Sequence, residues 1–529
     1  MIISKVSYGD KNIDLCGKGY DAEGNIYTLL VGRNGCGKST LLKKICLLNL
    51  TSVLSRGGGY LDDFSLSRLL RGGSDSGLDN VGSMTICVGD DVRTITVLPP
   101  LEDVSEVDVF NVVENSRTTK VVAPVSGTEV RHTNNIVAVP ALKANPKLIA
   151  VSSSPFDKFP MIDNFMDIEV AEKCYVYRGT KSSRRNSHRN YLEAKFDQLG
   201  GSFINLFLVN DKRKDEILPL FSYLGITSKL KLILKGSMHF RFDDFLSEVG
   251  RGPVDAIRSN RFFKGVSTRY DDEIAQDVCE RIVRSVRSIY ERVHNKRNIF
   301  SSGNFVYELH LDISSDEVVE LLPELAVLAE YDLVDLQDIE FTKTKSGSCF
   351  LLTEASSGEL CILFNILSVA GAISDDSVIL LDEPELSLHP EWQCNFLPLL
   401  ERIFSNYKRC HFIIATHSPQ IVSSVSALNS YVVNLEDDSA TVIEGVGVSA
   451  QSSDYQLANI FRSPGHRNEY LITQVVEALT KIRNGEEVSD VFLAEIEGLI
   501  RFHDLVPEKD PVKRLLSTLK KALRVIRND

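Results

Sequence analysis

Apolar and polar positions along the chain fall into two repeating patterns and one ambiguous stretch. Near the amino end, Asn25 to Val31 is a β-rich run that stops at Gly32, and Ser39 to Leu50 follows with Leu41, Leu42, Ile45 and Leu48 on one helical side. A Gly- and Ser-rich stretch from Arg56 to Asn80 reads as an exposed loop around a short helical piece. Short β-rich runs then recur at Met84–Val88, Arg93–Leu98, Lys120–Ala123 and Leu148–Ser152. From about 190 to 340 the pattern reads as helical, with few long β runs. Its clearest segment is Glu273 to Val293, where Ile274, Val278, Ile282, Val286, Ile289 and Val293 recur at helical spacing; Asp316 to Glu330 is a second candidate. The β signal returns at Cys349–Thr353, Val378–Leu381 and His411–Ala415. Beyond about 450 the periodicity predicts helices over Glu469–Ile482, Val488–Phe502 and Pro511–Ile526.

Composition changes this picture modestly. A chain of 529 residues is too long for one simple core and suits two or three lobes. The net charge of −13 argues against uniform coating of nucleic acid, while leaving room for a local basic patch. The ten cysteines contain no C-x-x-C pair, which points away from a zinc ribbon or disulfide framework and towards a reducing, cytoplasmic setting. No stretch approaches the roughly eighteen apolar residues that a membrane span needs, and the start shows no signal-like run. There is no internal repeat and no heptad array long enough for an extended coiled-coil arm.

The chemistry sits where apolar runs end. Gly32-Arg33-Asn34-Gly35-Cys36-Gly37-Lys38-Ser39-Thr40 matches G-x-x-x-x-G-K-[ST] between a strand and a helix. Glycines there let backbone N–H groups converge on phosphate oxygens beside a positive helix end. Lys38 is placed to reach the β- and γ-phosphates of ATP, and Ser39 to put its hydroxyl on Mg2+. More than three hundred residues later, Val378 to Leu381 leads into Asp382 and Glu383. Two carboxylates at the edge of a buried strand divide into a metal holder, Asp382, and a group that polarises the attacking water, Glu383. His417 follows the next apolar strand, where a neutral imidazole can contact a terminal phosphate. Ser356 and Gly358 lie in Ala355-Ser356-Ser357-Gly358-Glu359-Leu360, at the start of a strongly apolar helix. That is an anion-binding position, and serine also suits simple N-capping.

In this order, the four pieces resemble the ATP-binding-cassette ATPase superfamily. Gly32 to Thr40 resembles Walker A, Ser356 to Glu359 the signature loop, Asp382-Glu383 Walker B with its catalytic glutamate, and His417 the switch histidine. The resemblance covers about 1–60 and 345–425. It implies a head-to-tail dimer in which the signature loop of one copy closes on ATP held by another. The chain departs from the pattern in two places: no glutamine lies between Thr40 and Gln198, and Ser357 and Glu359 stand where glycine and glutamine are usual. Pro384 to Gln393 and Thr416 to Gln420 are similar to soluble ATPases of the overcoming-lysogenization-defect and recombination-head kind. Ser152 to Phe159 and Arg462 to Tyr470 are similar to PtuA, the ATPase of Septu-type and retron-associated anti-phage systems. That family works with PtuB, a separate HNH nuclease, and retron-associated versions imply a reverse transcriptase and its RNA–DNA product as further partners. Consistent with a separate nuclease, the ten histidines form no H-N-H-like cluster with paired cysteines.

Two basic stretches are candidate contact surfaces. Arg178, Lys181, Arg184, Arg185 and Arg189 occur without an acidic residue from 178 to 190, which suits either phosphate contacts or a solvated loop. The last helix carries Val512, Leu516, Leu519, Leu523 and Ile526 on one stripe, suited to a partner or to its own chain. The expected fold is an α/β P-loop head assembled from both chain ends, with a largely helical insertion and a helical tail. The boundaries expected are 1–165 and 346–450 for the two parts of the head, 166–345 for the insertion and 451–529 for the tail. The expected function is an ATPase subunit of an anti-phage complex that controls an HNH nuclease. The alternatives are a nucleotide-gated scaffold with little hydrolysis and a DNA repair or recombination ATPase.

Overall fold

The computed structural model describes residues 2–17, 19–21, 23–56, 82–88, 91–98, 107–114, 117–124, 147–154, 157–160, 174–179, 214–236, 245–247, 276–293, 306–315, 323–325, 327–328, 333–436, 440–485 and 489–528. Most of the Arg56–Asn80 stretch, much of Asp316–Glu330, and Lys181, Arg184, Arg185 and Arg189 lie outside the described residues.

From the amino end, β1 (Ile2–Tyr8), β2 (Lys11–Asp14) and β3 (Ile26–Val31) lead into α1 (Lys38–Arg56). Then come β4 (Gly82–Val88), β5 (Asp91–Leu98), β6 (Val107–Glu114), β7 (Arg117–Pro124), β8 (Leu148–Ser152) and β9 (Tyr175–Arg178). The middle holds α2 (Lys214–Leu224), β10 (Ile226–Gly236), α3 (Gln276–Val293), β11 (Val306–Asp312) and β12 (Val334–Lys343). Next are β13 (Cys349–Leu351), α4 (Ser357–Ala370), β14 (Val378–Asp382), α5 (Pro390–Ile403), β15 (His411–Ala415) and the short α6 (Pro419–Ser423). The chain finishes with β16 (Ser430–Asn434), β17 (Thr441–Glu444), α7 (Glu469–Arg483), α8 (Asp490–Ile500) and α9 (Pro511–Asn528).

Strands from both chain ends form one seven-stranded sheet in the order β17-β16-β3-β15-β14-β8-β9. It is parallel except for β17, which pairs antiparallel with β16. Successive side chains alternate between faces, and helices cover both, so these strands are apolar at nearly every position. Leu29, Val31, Ile379, Leu381, Phe412 and Ile414 pack on one side with α4 and α5. Leu30, Val378, Leu380, Ile413 and Ala415 pack on the other with Leu41, Leu42, Ile45 and Leu48 of α1. That second core also holds Ile3, Val6, Met84 and Ile86, from the antiparallel sheet β2-β1-β4-β5-β6-β7. The first sheet and the second are tied by His411, which is fully buried: its Nδ1 accepts from Ile3 N at 3.1 Å and its Nε2 lies 2.8 Å from the Thr28 hydroxyl.

The middle of the chain corrects the expectation of a largely helical insertion. Among the described residues, β10, β11 and β12 form a sheet with β13 in the order β11-β10-β12-β13. The reason is visible in Ile226-Thr-Ser-Lys-Leu-Lys-Leu-Ile-Leu-Lys-Gly236. Leu230, Leu232 and Leu234 alternate with polar or outward positions and are buried, while Lys231 pairs with Glu340 at 2.9 Å on the other face. The helical periodicity of α3 does hold, with Ile282, Val286 and Ile289 buried.

The tail forms its own core. Leu471, Val475 and Ala478 of α7, Phe492 and Ile496 of α8, and Val512, Leu516, Leu519 and Leu523 of α9 pack together. Four residues of the terminal stripe are thereby covered by their own chain. No helix among the described residues is long and apolar enough to cross a membrane.

Candidate functional site

The sequence-predicted residues of the first and third motifs meet at the carboxyl edge of the parallel sheet, the edge at which open α/β sheets bind ligands. β3 ends at Val31, and the loop from Gly32 to Gly37 turns the chain into α1. Gly32, Gly35 and Gly37 have φ of 137°, 85° and 107°, a backbone region that a side chain would strain. Arg33, Asn34 and Gly35 are exposed at the tip, and Cys36 and Gly37 half-buried. The loop is closed by Cys36 N donating to Arg33 O at 3.2 Å and Leu41 N to Gly37 O at 2.8 Å. Lys38 is buried, with Nζ donating to Gly32 O at 2.7 Å and Arg33 O at 3.3 Å. Burial lowers the pKa of its ammonium, an effect countered by Cys36, Glu383 and Glu385 nearby.

Asp382 closes β14, two strands from β3. Its Oδ1 accepts from the Ser39 hydroxyl at 3.0 Å, so the two distant segments touch directly. Burial pushes the Asp382 carboxyl up to about 7; the Ser39 hydrogen bond opposes the shift, and the charges of Glu383, Asp157 and Glu385 add to it. Three further carboxylates around one buried carboxylate leave a local excess of negative charge. Glu383 sits in a left-handed turn with φ of 52° and donates its N–H to Ala415 O at 2.9 Å. His417 lies just beyond β15, with Nδ1 3.5 Å from Lys38 Nζ and Nε2 3.8 Å from Glu383 Oε1. Burial first, and the Lys38 charge second, depress its imidazole to about 4, which keeps it neutral near pH 7.

Ser356 and Gly358 occupy the head of α4. Ser356 is its N-cap: its Oγ accepts from Glu359 N at 3.3 Å, and Ser356 N donates to Glu359 Oε2 at 2.9 Å, completing a capping box. Lys343 holds Glu359 from the β12 end at 2.5 Å. Gly358 is buried against Trp392, and a Cβ there would stand 2.8 Å from Trp392 Cζ3. Among the described residues, the Ser356 side chain shares no hydrogen bond with the group around Lys38, Ser39 and Asp382.

A family model described as "AAA domain, putative AbiEii toxin, Type IV TA system" matches residues 192–423, which takes in Ser356, Asp382, Glu383 and His417. Among curated proteins, the chain is 29% identical over 128 residues to "Retron Ec83 probable ATPase" of Escherichia coli, covering 22% of each chain. It is 27% identical over 107 residues to "Retron Vc95 probable ATPase" of Vibrio cholerae serotype O1 biovar El Tor, covering 18% of this chain and 20% of the relative. Both relatives are described as probable ATPases. "Protein ea59" of Escherichia phage lambda is 29% identical over 142 residues, covering 25% of this chain and 26% of the relative. The chain thus spans about a quarter or less of the length of these relatives. Among solved structures, an Smc head domain from Pyrococcus furiosus, bound to the C-terminal domain of ScpA, overlaps 83% of this chain and 95% of its own at 13% identity and a TM-score of 0.31. The sequence matches are thus to a family model described as an AAA domain, over less than half of the chain, and to short stretches of relatives described as probable ATPases.

Around this site the structure adds residues to which the sequence motifs assigned no role, although Asp157, Lys158, Glu385 and Arg462 lie within the stretches quoted for their resemblance. Asp157 follows β8, the strand next to β14; it is buried, and its Oδ2 accepts from the Tyr177 hydroxyl at 2.6 Å. Its neighbour Lys158 donates to the Thr40 hydroxyl at 3.1 Å, so the segment after β8 rests on the start of α1. Glu436, beyond β16, accepts from Arg33 N at 2.5 Å, and Arg33 Nη2 reaches Arg462 O at 3.3 Å. Glu385 Oε1 accepts from His417 N at 2.5 Å. None of these has a local spacing signal, except that Asp157 and Lys158 sit just past an apolar run, as Asp382 does. Of the basic stretch, Arg178 ends β9 and donates from Nη1 to Tyr177 O at 3.1 Å.

Proposed function

We propose that the chain binds and hydrolyses ATP and that this activity controls a separate HNH nuclease in an anti-phage defence complex. The observation that carries the ATPase reading is the contact of Ser39 with Asp382 at 3.0 Å, with Lys38 and His417 3.5 Å apart beside it. Gly32 to Gly37 would cradle the phosphates, with Lys38 on the β- and γ-phosphates and Thr40 fixing the loop to Lys158. The hydroxyl of Ser39 and the carboxylate of Asp382 are hard oxygen donors suited to Mg2+, which leaves its other positions to phosphate and water. The crowding of carboxylates around Asp382 is the electrostatic condition that a divalent cation relieves. When bound, that ion would supply charge neutralisation on the transferring phosphoryl group. Glu383 would orient and polarise the attacking water, and neutral His417 would contact the terminal phosphate.

Ser356 and Gly358 would act across a head-to-tail dimer, on ATP held by a second copy; Ser356 is exposed at the head of α4, which supports that reading. The defence role draws support from relatives described as retron ATPases. Control of an HNH nuclease rests on the similarity of Ser152 to Phe159 and Arg462 to Tyr470 to PtuA-type proteins. The test is steady-state ATP turnover by the wild-type chain and by Glu383→Gln, alone and with the products of neighbouring reading frames. The variant should keep ATP affinity and lose turnover by about a hundredfold or more. Equal turnover in the two proteins would remove Glu383 from the reaction. A nuclease partner whose activity ignores the nucleotide would refute the control reading while leaving the ATPase in place.

A further inference from the structure

The pairing of β14 with β15 runs out at the point where the chemistry begins. Asp382 stands opposite Ala415 at the end of the ladder. Beyond it, Glu383 N still donates to Ala415 O. Thr416 N then turns to the opposite neighbour and donates to Leu30 O of β3 at 3.1 Å. In a parallel sheet successive N–H groups point to alternate sides, so His417 N faces back towards the β14 side. No strand residue is left there to receive it. Glu385 receives it instead: its side-chain Oε1 lies 2.5 Å from His417 N. Two hydrogen bonds of opposite sense therefore join the turns after β14 and β15, one from Glu383 to Ala415 and one from His417 to Glu385.

We propose that Glu385 is a positioning residue, whose carboxylate fixes the backbone of His417 and so holds the imidazole between Lys38 and Glu383. The inference rests on the ATPase reading above. Its geometry is specific to one oxygen. The second, Oε2, is enclosed, and the carboxyl also interacts with its own N–H and with the Thr416 side chain. Of the groups that hold this enclosed carboxyl, His417 N–H is the one whose backbone carries the imidazole, and it bonds to Oε1. The neighbours of His417 are fixed as well. Ser418 N donates to Thr416 Oγ1 at 3.0 Å, and Ser418 Oγ donates to Gln393 Oε1 at 2.6 Å while capping α6. With these bonds in place, the one backbone donor in Thr416–Ser418 that depends on a carboxylate is that of His417. Its release would let the peptide rotate and carry the ring away from Lys38 Nζ and Glu383 Oε1.

Two nearly isosteric substitutions separate the bond from the packing. Glu385→Gln keeps an acceptor oxygen, whereas Glu385→Met fills the same space without one. In the full-length protein, Glu385→Met is expected to lower kcat about tenfold or more with KM for MgATP within about twofold, and Glu385→Gln to stay within about threefold of wild type. Adding His417→Ala to Glu385→Met should bring no loss beyond that of His417→Ala alone, because both remove the same function. Equilibrium binding of fluorescent ATP and ADP analogues gives a second reading: Glu385→Met should narrow the preference for ATP over ADP. A Met variant with wild-type kcat and wild-type preference overturns the proposal, as does a double variant with fully multiplicative losses. A wild-type chain that binds neither analogue overturns the ATPase reading and the proposal with it. A wild-type chain that binds ATP without turnover refutes hydrolysis alone, and the ATP-to-ADP preference then decides the role of Glu385.

Discussion

His411 offers a test of how the two sheets are joined, because its ring is committed to one protonation state. Thr28 Oγ1 donates to Leu15 O at 2.7 Å, so its hydroxyl must accept from His411 Nε2–H. Nδ1 is then the acceptor for Ile3 N–H. A second proton on the ring would face that N–H, donor against donor. Complete burial already disfavours the imidazolium, and the pKa is lowered from 6.5 to about 3. The sign follows from proton counting. Between these two values the unfolded chain takes up a proton that the folded chain refuses, so stability falls as the pH falls through this window. Each pH unit costs about 1.4 kcal/mol, and the fall from near pH 7 to near pH 5 therefore removes about 2 kcal/mol through this one residue. His417 acts in the same direction, since its pKa is also depressed. Replacing His411 by Gln removes the titration and keeps both an acceptor and a donor. The variant should be less stable near pH 7 by about 1–3 kcal/mol, and its further loss near pH 5 should be smaller than that of wild type by about 2 kcal/mol. Urea unfolding at the two pH values, followed by the fluorescence of the single tryptophan, Trp392, measures both. Parallel pH dependence in the two proteins, within about 0.5 kcal/mol, would refute the assignment of a neutral, proton-refusing His411.

Two further outcomes follow from the site. Ser39→Ala removes the hydroxyl that reaches Asp382 and should weaken ATP binding about tenfold in the presence of Mg2+, with little change in EDTA; equal loss in both conditions would place Ser39 outside the metal's reach. Gly358→Val would drive a Cβ to within 2.8 Å of Trp392 and 3.3 Å of Ser387 O. It should cost about 1–3 kcal/mol and shift the emission of Trp392; a variant with wild-type stability and emission would contradict the close packing of α4 on this turn.

The parts of the fold that were legible in the sequence are those with a dense local signal. β3, β14 and β15 are buried on both faces and read as largely apolar runs, with Thr28 in β3 and His411 at the start of β15 as polar exceptions, and each ends where a polar motif begins. The helices α3 and α9 show their buried stripes at the correct spacing. β10 was hidden for a physical reason. Its lysines keep it half polar, and the extra apolar Ile233, between buried Leu232 and Leu234, breaks the period-two pattern. Its assignment as a strand depends on partners far along the chain: β11 pairs through Leu309 and Leu311, and β12 through Ile339 and Phe341. Strand preference of this kind is a property of the neighbours as much as of the segment.

The site divides in the same way. Lys38, Ser39, Asp382, Glu383 and His417 announce themselves by residue type at a strand end, whereas Glu385, Asp157 and Glu436 acquire their positions only through the order of strands. Register explains why so wide a separation along the chain still yields a 3.0 Å contact. Asp382 is level with Ala415, and Ala415 is level with Leu30, so the carboxylate stands beside the exit of β3 just before Gly32. A parallel slip that preserved the buried faces would have to move a strand by two residues, or about 6.6 Å. Such a slip would carry Asp382 out of reach of Ser39 and pull Glu383 from Ala415 together. The alternating apolar residues that lock the register on both faces of the sheet are therefore what set the spacing of the chemical groups, and the length of chain between the motifs has no bearing on it.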